Sequence, residues 1–359
     1  MWNDNEITRR LSLEAPIVQG PFGGGLSSVD LVVAVADSGG LGSFGVHHLE
    51  PAEMRDVAAR IRARTARSFA LNLWVPLHDS DDPRMTDAEW RTACDLLRPY
   101  FDLLGVEVPA RPARFSPRYE DQVESLLEIK PPVFSFVFGV PAPHILERCR
   151  SAGIVTIGAA TTSAEAKLLA DAGVDLIVAT GFEAGGHRVS FLTRPEDCLT
   201  GTLALVPQVV DAVRVPVIAA GGIADGRGIA AALRLGAGAA QIGTAFLACE
   251  ESNAAPLHRE MLFSAAARRT TLTRAFTGRL ARSIHNDFIE ALADKAHQLP
   301  PYPVQNWLTA QFRRAALAAG RSDIISLWSG QGAPLLRERR AAVLMKSLTE
   351  QAAAVLSPG

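Results

Sequence analysis

The stretch "AAGGIADGRGIAAALRLGAGAAQIGTAF" at residues 219–246 holds two consecutive turns from a strand into a helix. One apolar strand ends at Gly221-Gly222, Asp225 can cap the helix that follows, and the next strand ends at Gly243-Thr244. Glycine turns and a helix N-terminus bind a phosphate dianion well, because unpaired amides and the helix dipole both favour negative charge. Gly221-Gly222 alone could simply permit a tight turn, but two such turns together, with the Thr244 hydroxyl, predict a phosphate site.

Short apolar runs alternate with stretches of helical length before this point, which is the pattern of an α/β protein and, at eight strands, of a (β/α)8 TIM barrel. The runs are "PIVQG" 16–20, "LGSFG" 41–45, "FALNLWV" 69–75, "VFSFVFG" 133–139, "VTIGAA" 155–160, "LIVATG" 176–181, "VPVIAAGG" 215–222 and "AAQIGTAF" 239–246. A ninth run, "LLGVEV" 103–108, contains Gly105 and precedes Pro109, so we assign it to a long excursion after the third strand.

A doubly wound open sheet is the competing architecture, because counting strands does not prove that the sheet closes. Most of the runs end in Gly, Asn or Gln, and in a barrel these ends share the face where ligands bind. We therefore prefer the barrel and expect a ligand to lie among these residues.

After about residue 250 the pattern predicts only helices, in the stretches 256–276, 283–296, 303–320 and 333–351. We predict a ligand-binding TIM barrel over 1–250, a small helical domain over 251–325 at the barrel mouth, and a segment over 326–359 that returns to the barrel. The small domain is thus inserted before the C-terminal helix.

The composition favours a small-molecule ligand. The chain has 359 residues, 48% of them hydrophobic, and a net charge of −2 without basic clusters, which argues against nucleic acid as a partner. No apolar run is long enough to span a membrane, and residues 1–16 lack the apolar core of a signal peptide, so we expect a cytoplasmic protein. The four cysteines are far apart and predict buried thiols.

The loop "TGFEAGGHR" at residues 180–188 follows the sixth strand and reaches the same mouth. Glycines at 185 and 186 allow the backbone to approach a flat ligand, and His187 is the side chain nearby that titrates near neutral pH. His187 is therefore the candidate general base, with a structural histidine as the alternative. Glu183 could equally orient the imidazole or be a solvated loop charge.

Amide side chains at two other strand ends suit the edge of a flavin ring, which presents alternating C=O and N–H groups. They are Gln19, beside Gly20 at the first strand, and Asn72 at the third. We expect no metal, because the adjacent His47 and His48 diverge and no acidic cluster accompanies them. No P-loop, H-E-x-x-H or G-x-S-x-G motif occurs.

Seven stretches, in order and over nearly the whole chain, resemble the nitronate monooxygenase family, formerly called 2-nitropropane dioxygenases. The stretches are "APIVQGPFGGG", "SGGLGSFG", "FALNLWVP", "GFEAGGHR", residues 219–246, "GRLARSIHNDF" and "SLWSGQGA". The resemblance implies an FMN-dependent barrel that oxidises alkyl nitronates, such as propionate 3-nitronate, with O2 to a carbonyl compound and nitrite or nitrate, in a detoxification role. It implies a monomer or a homodimer.

By the same resemblance His187 looks like the catalytic residue. The implied cofactor-binding residues are Gln19, Gly20, Asn72, Thr180, Gly185, Gly186, Gly221, Gly222, Gln241, Gly243, Thr244 and Gln331, the last of which the family brings back over the flavin. Thr180 stands where family members commonly have glutamine, and Val189 where they often have glycine, so both departures bear on the substrate.

Two rival functions remain open at this stage. Flavin-dependent enoyl-acyl-carrier-protein reductases, which use NAD(P)H, resemble the chain at the same glycine and histidine loop. A barrel that keeps FMN as a structural or sensory ligand, or that binds a phosphosugar without flavin, is the other.

Overall fold

The computed structural model describes residues 2–77 and 85–356. Eight parallel strands form the central sheet, and their order in space is β1-β9-β8-β6-β5-β4-β3-β2. They are β1 (Ile17–Gln19), β2 (Gly42–Gly45), β3 (Phe69–Trp74), β4 (Val133–Val137), β5 (Val155–Ala160), β6 (Leu176–Thr180), β8 (Val217–Ala220) and β9 (Ala239–Ile242). All eight predicted strands are confirmed, and residues 104–108 contain no strand.

The sheet closes between its first and last strands. A parallel bridge joins Val18 of β1 to Leu41, just before β2, and Gln19 N donates to Leu41 O at 2.9 Å. Leu41 N in turn donates to Ile17 O at 2.9 Å. The eight strands therefore form a nearly closed α/β barrel, and the open doubly wound sheet is excluded.

Most of the helices surround the barrel and present an apolar face to it, whereas α12 and α13 lie above its mouth. They are α1 (Glu6–Leu11), α2 (Val29–Asp37), α3 (Pro51–Arg62), α4 (Asp87–Leu103), α5 (Tyr119–Ile129), α6 (Pro143–Ser151), α7 (Ser163–Asp171), α8 (Thr202–Ala212), α9 (Gly226–Arg234), α10 (Thr244–Leu247), α11 (Pro256–Phe263), α12 (Asp287–Leu292), α13 (Val304–Ala318) and α14 (Ala341–Leu356). The last of them, α14, packs on α9 and α2.

The prediction that the region after residue 250 is purely helical is wrong. Strands β10 (Thr270–Thr273) and β11 (Ala281–Ile284) pair antiparallel there, and β11 also pairs with the short β7 (Gly186–His187). Three threonines make β10 favourable as a strand, since β-branched side chains fit a pleated surface better than a helix. This small sheet fixes the loop that carries His187.

The residues after 250 share a core with the barrel. Phe288 and Phe312 contact the ring of Tyr100 in α4, at centroid distances of 4.6 and 6.2 Å. The excursion after β3 therefore packs against α12 and α13 above the barrel mouth. The division into domains at 250 and 325 stays a prediction.

Candidate active site

One cavity of about 310 Å³ lies at the carboxyl ends of the barrel strands. Its size falls at the lower end of the range for small-molecule pockets, about 300 to 1,000 Å³. The predicted residues that line it are Gly20, Asn72, Thr180, Gly185, Gly186, His187, Gly221, Gly222, Gln241, Gly243 and Thr244. The structure thus brings together the two glycine turns and the histidine loop.

Two predicted residues, Gln19 and Gln331, do not line this cavity. The Gln19 side chain is buried; its Oε1 accepts from Ser43 N at 2.8 Å and its Nε2 donates to Gly20 O. The Gln331 side chain is exposed, and its backbone N donates to Glu183 O at 2.9 Å. Gln19 shapes the turn at Gly20, and Gln331 ties its segment to the histidine loop.

His187 is placed by the small antiparallel sheet. It lies opposite Ala281 in the pairing of β7 with β11, and its Nε2 is 2.9 Å from the hydroxyl of Thr277. That hydroxyl also lies 3.2 Å from the Arg279 carbonyl oxygen. The residues that hold His187, namely Thr277 and Ala281, both belong to the segment after residue 250. The sequence pattern did not connect that segment to the site.

The His187 ring lies among aromatic rings and is uncharged at neutral pH. Trp74 and Trp328 contact it at centroid distances of 5.0 and 5.6 Å. Burial, assisted by the positive charge of Arg279, lowers the pKa of His187 to about 3. The imidazole therefore offers one N–H donor and one lone pair in this cavity.

Arg279 packs flat among aromatic rings beside His187. Its guanidinium carbon lies 4.1 Å from the ring centroid of Tyr302 and 4.4 Å from that of Phe138. Such cation–π contacts hold the guanidinium beside the rings that surround His187. Trp74, which also lies beside Arg279, could have been assigned to the site from the sequence. It follows Asn72 by two residues at the end of β3, so both side chains point to the same side of the strand.

Two charged side chains, the half-buried Glu183 and the buried Arg188, hold the loop between β6 and β7 in place. Glu183 accepts from the Thr202 backbone N at 2.9 Å and from the Thr202 hydroxyl at 2.8 Å, so it caps α8 instead of orienting His187. The buried Arg188 donates to the carbonyls of Thr180, Gly181 and Cys198 at 2.6 to 3.0 Å. Both Glu183 and Arg188 position the loop.

Gly185 is required by a protein contact. A Cβ atom at this position would lie 2.5 Å from the backbone N of Gly330 and 2.7 Å from the carbonyl carbon of Ser329. The glycine thus lets the segment before α14 cross the histidine loop.

The predicted phosphate turns are present, with one correction. Asp225 caps α9 as predicted, accepting from Arg227 N and Gly228 N at 3.0 and 3.2 Å, while Gly226 N donates to Gln351 Oε1 at 3.0 Å. The first amides of α9 are therefore occupied and do not face a phosphate, contrary to the prediction. Donors remain at the Gly221-Gly222 turn and at Gly243-Thr244, where no side chain caps α10.

The residues present fit a flavin mononucleotide. The Gln241 side chain faces the cavity without a hydrogen bond in the described part of the chain, and Asn72 uses only its Nδ2, which donates to Ser135 Oγ at 3.1 Å. Two open amide groups therefore accompany the two glycine turns, which matches a polar ring edge at one end and a phosphate at the other.

His47 and His48 contribute no metal site. His47 stacks on Trp74 at 3.8 Å, and burial lowers the pKa of His47. In residues 2–77 and 85–356 no group of three His, Cys, Asp or Glu side chains could hold a metal ion.

The family model described as "Nitronate monooxygenase" matches residues 5–351. The chain belongs to the nitronate monooxygenase family. It is accordingly an enzyme, an oxidoreductase from a family of flavoenzymes that acts oxidatively on nitronates or nitroalkanes. A curated relative from Staphylococcus aureus (strain Newman), "Probable nitronate monooxygenase", is 39% identical over 353 residues, covering 98% of each chain.

Solved structures agree with this assignment. The nitroalkane oxidase from Streptomyces ansochromogenes is 36% identical, with a TM-score of 0.89, and the alignment covers 98% of this chain and 100% of that one. FabK from Thermotoga maritima is more distant, at 26% identity and a TM-score of 0.75, with 98% and 97% covered. Within the described residues, no helix is both long and apolar enough to cross a membrane.

Proposed function

We propose that this enzyme oxidises alkyl nitronates of the propionate 3-nitronate type with FMN as cofactor and O2 as oxidant, giving a carbonyl compound and nitrite or nitrate. The observation that carries the proposal is the uncharged His187, set between the aromatic rings of Trp74 and Trp328 in the same cavity as the two glycine turns. Membership of the nitronate monooxygenase family supports it.

Two groups of cavity residues would hold the cofactor. The phosphate would lie at the Gly221-Gly222 and Gly243-Thr244 turns, where the Thr244 oxygen accepts from Gly330 N at 2.9 Å and its hydrogen stays available to donate. The amides of Asn72 and Gln241 would meet the ring edge, beside Thr180, Gly185 and Gly186. Bound FMN supplies the electron transfer from the nitronate to O2.

His187 binds and orients the substrate anion. If the Thr277 hydroxyl donates to Nε2, Nδ1–H is left to donate to a nitronate oxygen; in the other tautomer Nδ1 is a base. A conjugate acid with a pKa of about 3 makes a weak base. We therefore expect nitronates, which have already lost the α-proton, to be better substrates than neutral nitroalkanes.

Absorbance of the purified protein tests the proposal. The spectrum is recorded without oxygen, alone, after addition of propionate 3-nitronate and, separately, after addition of NADH. We expect flavin bands that bleach or shift with the nitronate but not with NADH, and nitrite or nitrate after oxygen is admitted.

Two results would contradict this proposal. Bleaching by NADH alone would favour an enoyl-acyl-carrier-protein reductase. A protein that binds no FMN, even after incubation with the free cofactor, would refute the assignment of the two glycine turns.

A further inference from the structure

Two polar side chains of α13, Asn306 and Arg313, line the cavity from above the barrel mouth. They are seven residues apart, which is about two helical turns, so they lie on one face of the helix. Both are partly buried. Neither side chain has a hydrogen bond or an ion pair in the part of the chain that the structure describes.

An unpaired guanidinium in such a position is unusual, because burying a charge without a partner is costly. Burial lowers the pKa of Arg313, but arginine stays protonated at neutral pH. The other buried arginines near the site have partners: Arg188 donates to three carbonyls, and Arg282 donates to Phe182 O and to Thr270 Oγ1. Arg313 therefore presents an unpaired positive charge to whatever occupies the cavity.

Arg313 and His187 line the same cavity. His258 Nε2 is 3.0 Å from the carbonyl oxygen of Trp328, and the Arg313 charge helps to lower the pKa of His258, so the two side chains are neighbours. The ring of Trp328 in turn contacts the ring of His187 at 5.6 Å. Trp328 thus contacts His187 with its ring and, with its carbonyl oxygen, His258, which the Arg313 charge also influences.

We infer that Arg313, assisted by the amide of Asn306, binds a carboxylate on the tail of the nitronate while His187 holds the nitronate group. A guanidinium pairs with a carboxylate through two parallel N–H···O bonds, which fixes both position and orientation. This inference rests on the proposed function and names the residue that would recognise the carboxylate of a substrate of the propionate 3-nitronate type.

The test compares an acid with its ester. The nitronates of 4-nitrobutanoate and methyl 4-nitrobutanoate differ only in the charge of the tail. We expect the wild-type enzyme to prefer the acid in kcat/KM by about tenfold or more, the usual effect of a hydrogen bond to a charged group. Arg313→Gln should remove this preference, mainly by raising KM for the acid, and leave the ester unchanged.

Three variants serve as controls. Arg314→Gln removes the neighbouring arginine on the exposed side of the same helix and should leave both substrates unaffected. Arg313→Lys keeps the charge without the planar fork and should restore part of the preference. Asn306→Ala should weaken the preference less than Arg313→Gln does.

Binding measured by calorimetry without oxygen separates this inference from the proposed function. With the un-ionised nitro forms of the acid and the ester, the wild type should bind the acid more tightly and Arg313→Gln should not. Tighter binding of the acid by the wild type would support the carboxylate site even if the enzyme oxidised no nitronate. A lack of nitronate oxidation would refute only the proposed function. Equal effects of Arg313→Gln on the acid and the ester would overturn the inference. Purification of Arg313→Gln without FMN would also overturn it, because Arg313 would then bind the cofactor phosphate.

Discussion

The residues around His187 determine its protonation state. An imidazole in water titrates near pH 6.5, whereas burial and the Arg279 charge bring the pKa of this one to about 3. The ring therefore faces the cavity as a neutral imidazole, with one N–H group and one lone pair.

His187→Asn tests this role. The amide can still bond to Thr277, so we expect FMN to stay bound while kcat/KM for a nitronate falls by about 100-fold or more, the scale of a lost general acid–base group. The measurement is initial-rate kinetics together with the flavin absorbance per chain. His144→Asn, on the exposed face of α6, is the matched control, and equal activity of the two variants would refute the role of His187.

Gly185→Ala tests the crossing of the last segment over the histidine loop. The new Cβ would meet backbone atoms of Gly330 and Ser329 at 2.5 and 2.7 Å, so one of the two segments has to move. We expect a loss of about 1 to 3 kcal/mol in the free energy of unfolding and weaker retention of FMN, by thermal denaturation and dialysis. Gly105→Ala is the control: a Cβ there has open space but φ is +62°, so the variant should lose some stability and yet leave FMN retention unaltered.

Among the elements, the end of β6 depends on Arg188 as a clamp. Its three carbonyl partners belong to the strand end and to the residues before α8, and among the residues that the structure describes no carboxylate bonds to it directly. Burial lowers the pKa of Arg188 to about 10, which still leaves it protonated at neutral pH.

Arg188→Met should therefore destabilise the protein by about 3 kcal/mol or more, because it leaves buried carbonyls without donors. Chemical denaturation of the two proteins measures this change. Arg150→Met removes an exposed arginine of α6 and should have an effect near zero. A small effect of Arg188→Met would show that the clamp is dispensable.

The sequence predicted those elements whose pattern is local. Each barrel strand is a compact apolar run between helices, and the glycines and His187 follow directly from strand ends. The number of strands and the residues at their ends predicted the barrel correctly, but the pairing of Val18 with Leu41 that closes it could not be located from the sequence. The sequence did not predict the strands β10 and β11, because four-residue strands among Ala and Arg have the pattern of a helix in a single sequence.

The sequence also could not predict which side chains line the cavity from above. Thr277, Tyr302 and Arg313 line the cavity only because β11 and α13 lie over the mouth. Their positions depend on packing between distant parts of the chain, such as Phe312 against Phe101 of α4.

For the whole molecule, the buried histidines set the response to acid. Burial lowers the pKa of His187 to about 3 and that of His258 to about 4, while the unfolded chain takes up these protons near pH 6.5. The unfolded state thus binds more protons below pH 6.5, and stability falls as the pH decreases toward these folded-state values.

We expect each such histidine to cost about 1.4 kcal/mol per pH unit in this window. Chemical denaturation between pH 7 and pH 4.5 measures the slope. His258→Gln should make the slope shallower than in the wild type, whereas His144→Asn should not change it. An identical slope for His258→Gln would show that His258 is not the titrating group.

The helix α14 has a consequence for the order in which the molecule is made. It packs on α9 and α2, and its Gln351 accepts from the first amide of α9, while Gly330 and Gly332, just upstream of it, line the cavity. A nascent chain that still lacks this helix can form barrel strands but not the finished cavity. We therefore expect a cofactor to be held firmly only after α14 has been synthesised and has packed on α9 and α2.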